Sequence, residues 1–322
     1  MPSRAPRLKR LSRSEAKQLG PYRPMPTAAS DADELADWLE FWALRPKSRG
    51  ASIDDLVRLL KRNDSSGFAR HDDSDSAEAL RLADTAFAVL NRRAAWLGSL
   101  YPFEFANNGT RLEARKQADK GLYAFLLALT LAYPTSGHEG TALLFEELCT
   151  VATRHLVTGT NGPIQSLRFG SPRLRPAPSK FRDAVRWLID HLREGTEPHH
   201  SAGVHTGDDG LDIVAWRPWR DDRGNQFAVF AQCATGADYE AKVAEIKDKW
   251  TQVHFRDALL LSPVRCIFLP RWVPESHWRR LAGYEVLIVD RGRLAESVCQ
   301  LDRSLSKRIE GFTNETLSGL AS

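Results

Sequence analysis

Two polar residues interrupt apolar segments between residues 207 and 234, and both carry oxygen atoms suited to binding a cation. Asp212 lies in the run Leu-Asp-Ile-Val-Ala-Trp, and Gln232 lies near the end of the run Phe-Ala-Val-Phe-Ala-Gln-Cys-Ala. A carboxylate within an apolar strand is costly to bury, so it needs hydrogen-bond donors or a metal ion. The sequence therefore leaves two interpretations of Asp212: a satisfied strand-end carboxylate or a metal ligand.

The elements that would position these two residues follow from the periodicity of the surrounding sequence. Both apolar runs have the composition of strands, and the polar segment between them predicts a hairpin. Further elements are predicted as helices at 179–194, 237–250, 274–281 and 293–300 and as strands at 264–269 and 284–289. The order α-β-β-α-β-α-β predicts an α/β domain with a mixed sheet and a right-handed crossover between the second and third strands.

The first half of the chain has a different pattern. Residues 29–160 carry helix-period apolar stripes and no strand candidate, which predicts an all-helical domain that recognises DNA or binds a partner. Ser52, followed by Asp55, is a start signal for one of its helices. A basic, proline-rich segment at 1–28 predicts an extended arm, and the Gly, Pro and Ser content of 161–178 predicts a linker. We expect residues 303–322 to form a tail.

A resemblance to a known family rests on the residues around the two polar positions. Asp209-Gly210-Leu211-Asp212 followed by Gln232-Cys233-Ala234 resembles the catalytic motif of Mrr-like type IV restriction endonucleases, within the PD-(D/E)xK nuclease superfamily. In that family Asp-Gly-Gly-x-Asp precedes Gln-x-Lys or Glu-x-Lys, so the first part is one residue shorter here. The resemblance implies a restriction-endonuclease-like fold over 179–302 and hydrolysis of DNA phosphodiester bonds in restriction or anti-phage defence.

The resemblance also implies roles for individual residues. Asp212 would be the essential carboxylate ligand of Mg²⁺ or Mn²⁺, and Gln232 would be a neutral ligand or would position a water. The carbonyl oxygen of Cys233 would be a further ligand. Such hard oxygen atoms suit Mg²⁺, which polarises the scissile phosphate and stabilises the leaving oxygen when it is bound.

The lysine of the family motif is absent, because Ala234 stands in its place. A lysine at this point would hold the attacking water and stabilise developing charge, and alanine does neither. One interpretation is that Lys242, in the next predicted helix, has taken over this role, with Glu240 as an additional carboxylate. The other is a degenerate domain that only binds nucleic acid or a helicase or ATPase partner.

Several further residues are weaker candidates. Asp209 within the motif and Asp183 on the predicted first helix are candidate accessory carboxylates, each with a surface role as the alternative. Three basic residues at the start of the domain predict contacts with DNA phosphates: Arg168, Arg173 and Lys180.

Composition and motifs limit the remaining function classes. The longest apolar run is too short to span a bilayer, and no apolar segment follows the basic N-terminus as it would in a signal peptide. We therefore expect a cytoplasmic protein with no membrane partner, whose four dispersed cysteines are buried thiols. The chain lacks a P-loop, so an ATP-driven step would require a partner subunit. Because cutting both DNA strands takes two sites, we also expect a homodimer.

Overall fold

The computed structural model describes most of the chain. The described residues are 26–27, 29–45, 48–63, 73–116, 121–132, 139–158, 164–173, 175–199, 207, 209–219, 221, 223–236, 238–243, 250–298 and 300–320. The predicted basic arm at 1–28 lies outside this range, apart from residues 26 and 27. The chain divides into two compact units, the first up to Thr141 together with the segment from Ser306, and the second from Ala142 to Leu305.

The helices and strands are named in chain order. The helices are α1 (Ala32–Leu44), α2 (Ile53–Asn63), α3 (Asp73–Leu97), α4 (Gly121–Ala132), α5 (Glu139–Thr158), α6 (Phe181–Leu192), α7 (Tyr239–Val243), α8 (Trp250–His254), α9 (Glu275–Ala282), α10 (Arg291–Ser297) and α11 (Arg303–Leu320). The strands are β1 (Ala51–Ser52), β2 (Phe103–Ala106), β3 (Arg111–Ala114), β4 (Gln165–Arg168), β5 (Ile213–Trp216), β6 (Ala228–Cys233), β7 (Val264–Phe268) and β8 (Leu287–Val289).

The first unit is mainly helical but contains a small antiparallel sheet, so the prediction of an all-helical domain was wrong. The sheet has the order β1-β3-β2, with Leu112 opposite both Ala51 and Phe105. Its strands are two to four residues long, and such short segments cannot display a strand period. The predicted start signal before α2 is confirmed, because Ser52 and Asp55 exchange side-chain-to-amide hydrogen bonds.

A buried ion-pair network stabilises the first unit. Arg93 of α3 is 1% exposed and donates hydrogen bonds to the carboxylates of Asp33, Asp37 and Glu40, all on α1. Two hydroxyl groups donate to the same oxygen of Glu40, from Tyr101 at 2.8 Å and from Tyr123 at 2.9 Å. Burial lowers the pKa of Arg93, but the negative charges of the surrounding carboxylates raise it more. The net pKa therefore lies well above its usual range. The guanidinium is therefore a permanent counter-charge within this core.

The second unit is built on a mixed five-stranded sheet of order β4-β5-β6-β7-β8, which confirms the predicted α/β class. The first three strands are antiparallel and the last three are parallel. The parallel step from β6 to β7 requires a crossover connection, and the sequence between them contains α7 and α8. Within the segment predicted as a helix at 237–250, Tyr239–Val243 and Trp250 are helical, and residues 244–249 lie outside the described residues.

Three segments lie outside the domain limits expected from the sequence. The segment 161–178, predicted as a linker, contains β4, an edge strand whose residues Gln-Ser-Leu-Arg carry no apolar run. The second unit therefore begins before residue 179, and it includes most of α5. The predicted tail at 303–322 forms α11, which packs on the first unit through Phe312 against Phe125 of α4.

One face of the five-stranded sheet is covered by two apolar clusters. Near β5, the side chains of α6 pack on Val214, Trp216 and Phe230. Toward β8, Tyr239 and Val243 of α7 pack with Ala234, which follows β6, and with Ile267 of β7. The alternation of side chains leaves Cys233 and Cys266 on the opposite face.

Candidate functional site

Asp212 is the residue immediately before β5, and backbone and side-chain hydrogen bonds fix its position. Its amide donates to the carbonyl of Ala231 at 3.0 Å, and its own carbonyl accepts from the amides of Phe169 at 2.7 Å and Gly170 at 3.0 Å. Its Oδ2 atom accepts from the amide of Cys233 at 2.7 Å. The residue is half-buried. Asp212 is therefore a strand-end carboxylate held in place where β5 begins and β6 ends.

A second carboxylate, Glu146 of α5, faces the same point as Asp212. A Cβ atom placed on Gly170 would lie 3.1 Å from Oδ1 of Asp212 and 3.3 Å from Oε2 of Glu146. Two carboxylate oxygens from different elements therefore approach Gly170 closely, and a side chain at this position would crowd both of them. Sequence reasoning missed Glu146, because an acidic residue on an amphipathic helix carries no signal of its own and the helix had been assigned to the other domain.

Arg168 is the cation of this cluster. It is 6% exposed, and its Nη1 donates to Oε2 of Glu146 at 2.8 Å and to the carbonyl of Gly170 at 3.2 Å. Its Nη2 donates to the carbonyl of Pro172. This burial places the guanidinium inside the unit, so Arg168 does not form the exposed phosphate contact that was predicted for it.

Gln232 and Cys233 flank Asp212 on the neighbouring strand. The ladder pairs Ile213 with Ala231, and the next position along it puts Asp212 opposite Gln232. Gln232 is 3% exposed, and Cys233 is half-buried. The structure therefore brings together the three residues that the motif predicted as ligands, although the contact it shows is from the Cys233 amide rather than from the carbonyl.

The thiol of Cys233 meets Cys149 of α5 beside the two carboxylates. Burial raises the pKa of both thiols, and the negative charges of Asp212 and Glu146 raise it further. Burial likewise raises the pKa of Cys266. These groups are protonated at neutral pH, so they are apolar packing groups and not thiolate ligands.

The candidates from the helix after β6 occupy α7. Oε1 of Glu240 pairs with Arg280 at 2.5 Å and with Nδ1 of His277 at 3.0 Å, both on α9. Lys242 is half-buried on the same short helix. Ala234, at the position of the motif lysine, is 3% exposed within the apolar cluster that α7 covers. The motif position is therefore part of the hydrophobic core.

The accessory carboxylates lie in different surroundings. Asp209 lies in the loop before β5 and has a φ of 52°. Its Oδ2 pairs with Nε2 of His254 at 2.9 Å. His254 is 3% exposed, so this contact anchors the motif loop to α8. Asp183 is exposed in the first turn of α6.

The two remaining basic candidates lie near the start of α6. Arg173 donates to the carbonyls of Ser179 and Gly207, and its guanidinium lies over the rings of Phe169 and Phe181 at 4.9 and 5.3 Å. It thereby holds the motif loop against the segment that follows β4. Lys180 is exposed at the N-cap position of α6.

The described residues offer a small donor set for the cation that the motif implies. Among the described residues, no group of three or more His, Cys, Asp or Glu side chains has the arrangement of a metal site. Mg²⁺, however, is commonly held by one or two carboxylates together with waters and substrate phosphates. Asp212 and Glu146 beside Gly170 match that smaller requirement.

Comparison of the chain with protein-family models, curated proteins and solved structures finds no match. In the described part of the chain, no helix combines the length and apolar character needed to cross a membrane.

Proposed function

We propose that this protein is a divalent-metal-dependent DNA endonuclease with a restriction-endonuclease-like domain. The observation that carries the proposal is the approach of Asp212 and Glu146 to the same side of Gly170, next to the strand that bears Gln232 and Cys233. Two carboxylates beside the ends of neighbouring strands of a mixed sheet suit a hydrated Mg²⁺ or Mn²⁺ ion. The motif resemblance supplies the DNA substrate.

In this proposal the residues of the chain hold and orient the reacting groups. Asp212 and Glu146 hold the cation, and Gln232 and the carbonyl of Cys233 provide neutral oxygen atoms beside it. When bound, the cation polarises the scissile phosphate and stabilises the leaving oxygen. The hydrogen bond from the Cys233 amide fixes the Asp212 carboxylate before substrate arrives, so it does not have to reorganise during reaction.

The wider biological role rests on the resemblance alone. A restriction or anti-phage defence effector in the cytoplasm would act on foreign DNA, as a homodimer or with a helicase or ATPase subunit. Exposed Lys180 is the basic candidate best exposed for contact with a phosphate. The first unit would recognise DNA or a partner.

A second candidate function is favoured by one specific observation. Glu146 already has a counter-ion within the chain, Arg168, and the motif lysine is replaced by the buried Ala234. Such a site can persist without a cation, which suits a non-enzymatic subunit that binds nucleic acid or a helicase or ATPase.

The deciding experiment measures DNA cleavage and Mn²⁺ binding on the same proteins. Plasmid and phage DNA are incubated with Mg²⁺ or Mn²⁺ and wild type, Asp212→Asn, Glu146→Gln, Gln232→Ala or Lys242→Ala. Asp190→Asn, an exposed acid on α6, is the matched control. We expect Asp212→Asn to lose both activities, with cleavage reduced about 1,000-fold.

Each result selects between the candidates. Cleavage that survives Asp212→Asn would refute the assignment of the site. A wild type that binds DNA but neither cuts it nor binds Mn²⁺ through Asp212 establishes the non-enzymatic subunit. Loss of cleavage in Lys242→Ala with Mn²⁺ binding intact would assign the lysine role to Lys242.

A further inference from the structure

We infer that Arg168 supplies the positive charge that the family motif obtains from its lysine. The inference rests on the proposed nuclease function, and it gives a buried arginine on an edge strand an electrostatic role in the reaction. Arg168 makes and breaks no bond in this role.

The backbone links Arg168 directly to the candidate cation site. Arg168 is the last residue of β4 and pairs with Ile213, the residue after Asp212. The next two amides along the chain, those of Phe169 and Gly170, both donate to the Asp212 carbonyl. A displacement of Asp212 would therefore also displace the segment that carries Arg168.

The guanidinium bonds to one of the two carboxylates and to the backbone of the glycine that both approach. Its Nη1 bonds to Oε2 of Glu146 and to the carbonyl of Gly170, and a Cβ on that glycine would touch Oε2 of Glu146 and Oδ1 of Asp212. Its Nε has no hydrogen-bond acceptor among the residues that the structure describes. Arg168 thus retains a donor after it has satisfied Glu146.

Burial determines which position can carry the charge. Ala234, the motif position, is enclosed by Tyr239, Ile267 and Leu269, so a lysine there would be placed in an apolar cluster. A guanidinium remains charged at every relevant pH and is less strongly hydrated than an ammonium group, so it tolerates the buried site at Arg168. In these low-dielectric surroundings its charge acts strongly on a nearby phosphate or cation.

This location predicts two effects of opposite sign. The charge stabilises the negative phosphate as the bond breaks, so removing it slows cleavage. The same charge repels a divalent cation at Asp212 and Glu146, so removing it tightens cation binding. A residue that only maintained the fold would weaken both.

The test compares Arg168→Gln with Arg271→Gln. Arg271 is also buried, at 4% exposure, but its guanidinium bonds to the carbonyls of Thr235 and Gly236. Cleavage is measured by single-turnover kinetics, and Mn²⁺ binding is measured by electron paramagnetic resonance. We expect Arg168→Gln to lower the cleavage rate about 100-fold and to tighten Mn²⁺ binding about tenfold, with neither change in Arg271→Gln.

A charge-preserving variant completes the design. Arg168→Lys should keep the Mn²⁺ affinity of wild type and cut faster than Arg168→Gln. If the Gln variant does not fold, as judged by circular dichroism, Arg168→Lys and Arg271→Lys carry the comparison, with slower cleavage expected only in the former.

The outcomes separate this inference from the function on which it rests. If wild type cuts DNA, two results in Arg168→Gln would overturn the role of Arg168 and leave the nuclease assignment intact. One is cleavage at the wild-type rate, and the other is Mn²⁺ binding that is unchanged or weakened. An Arg168→Lys protein that cuts no faster than Arg168→Gln would overturn it as well. A wild type that neither cuts DNA nor binds Mn²⁺ through Asp212 overturns both.

Discussion

Each of the two compact units buries an arginine against carboxylates, and the two clusters differ in how completely the chain encloses them. Arg93 contacts three carboxylates from one helix, and one of them, Glu40, is fully buried. Arg168 contacts a single carboxylate, Glu146, whose side chain is 13% exposed, and it lies near the half-buried Asp212.

The difference separates a structural ion pair from a candidate site. In the first cluster, Arg93 and two tyrosine hydroxyls occupy the same oxygen of Glu40, so the chain itself provides the donors. In the second, Glu146 and Asp212 approach Gly170 from different elements, and both are only partly buried. Fully buried carboxylates that are bonded within the chain stabilise the fold, whereas partly exposed carboxylates can still be reached by a ligand.

The largest effect on stability is expected from breaking the closed cluster. Arg93→Met leaves the buried Asp37 and Glu40 without their counter-ion, and we expect unfolding to become easier by about 3–5 kcal/mol. Urea unfolding followed by circular dichroism measures the change. Arg81→Met, which removes an exposed pair with Glu78, is the control and should leave the unfolding midpoint nearly unchanged. Equal effects of the two substitutions would show that the Arg93 cluster is not energetically special.

A smaller effect is expected from breaking the open cluster. Arg168→Met should cost about 2 kcal/mol, because Glu146 lies nearer to solvent and can regain water. Adding Glu146→Gln to Arg168→Met removes the stranded charge and should recover part of the loss, as measured by urea unfolding. A loss in Arg168→Met as large as that in Arg93→Met would contradict the distinction between the clusters.

The smallest effect is expected at Asp55, a partly exposed carboxylate whose ion-pair partner, Arg58, is exposed. Burial raises its pKa, but hydrogen bonds from Ser52 and the Arg58 side chain lower it more, so the net pKa is lowered. The carboxylate therefore adds stability above the unfolded pKa of about 3.9, and this contribution is lost as pH falls through the folded pKa.

The test of this contribution is the pH dependence of Asp55→Asn. We expect it to cost about 0.5 kcal/mol at pH 7 and to match wild type in acid, below the folded pKa. Thermal melting across this pH range measures the difference. Asp54→Asn, which changes an exposed acid in the same turn, is the matched control and should leave stability at pH 7 nearly unchanged. A cost for Asp55→Asn that persisted in acid would assign the effect to shape rather than charge.

Sequence reasoning was most successful where the signal is local. The hairpin around Asp212 and Gln232, the third strand at 264–269 and the start signal at Ser52 and Asp55 all follow from patterns within a few residues. It failed for β4 and for the small sheet of the first unit, whose strands are too short or too polar to show alternation. It also missed Glu146 and predicted a DNA-phosphate contact for Arg168, which is buried.

By itself, the sequence indicated four strands of the second unit, their arrangement in a mixed sheet and the association of Asp212 with the first of them, because apolar periodicity and turn residues act over short distances. Only the tertiary structure brought Glu146, Arg168 and Gly170 to that aspartate. These residues come from a helix, an edge strand and a loop, and their proximity depends on how α5 packs beside β4. Whether a charged residue is exposed or enclosed is a property of that packing, which no local pattern encodes.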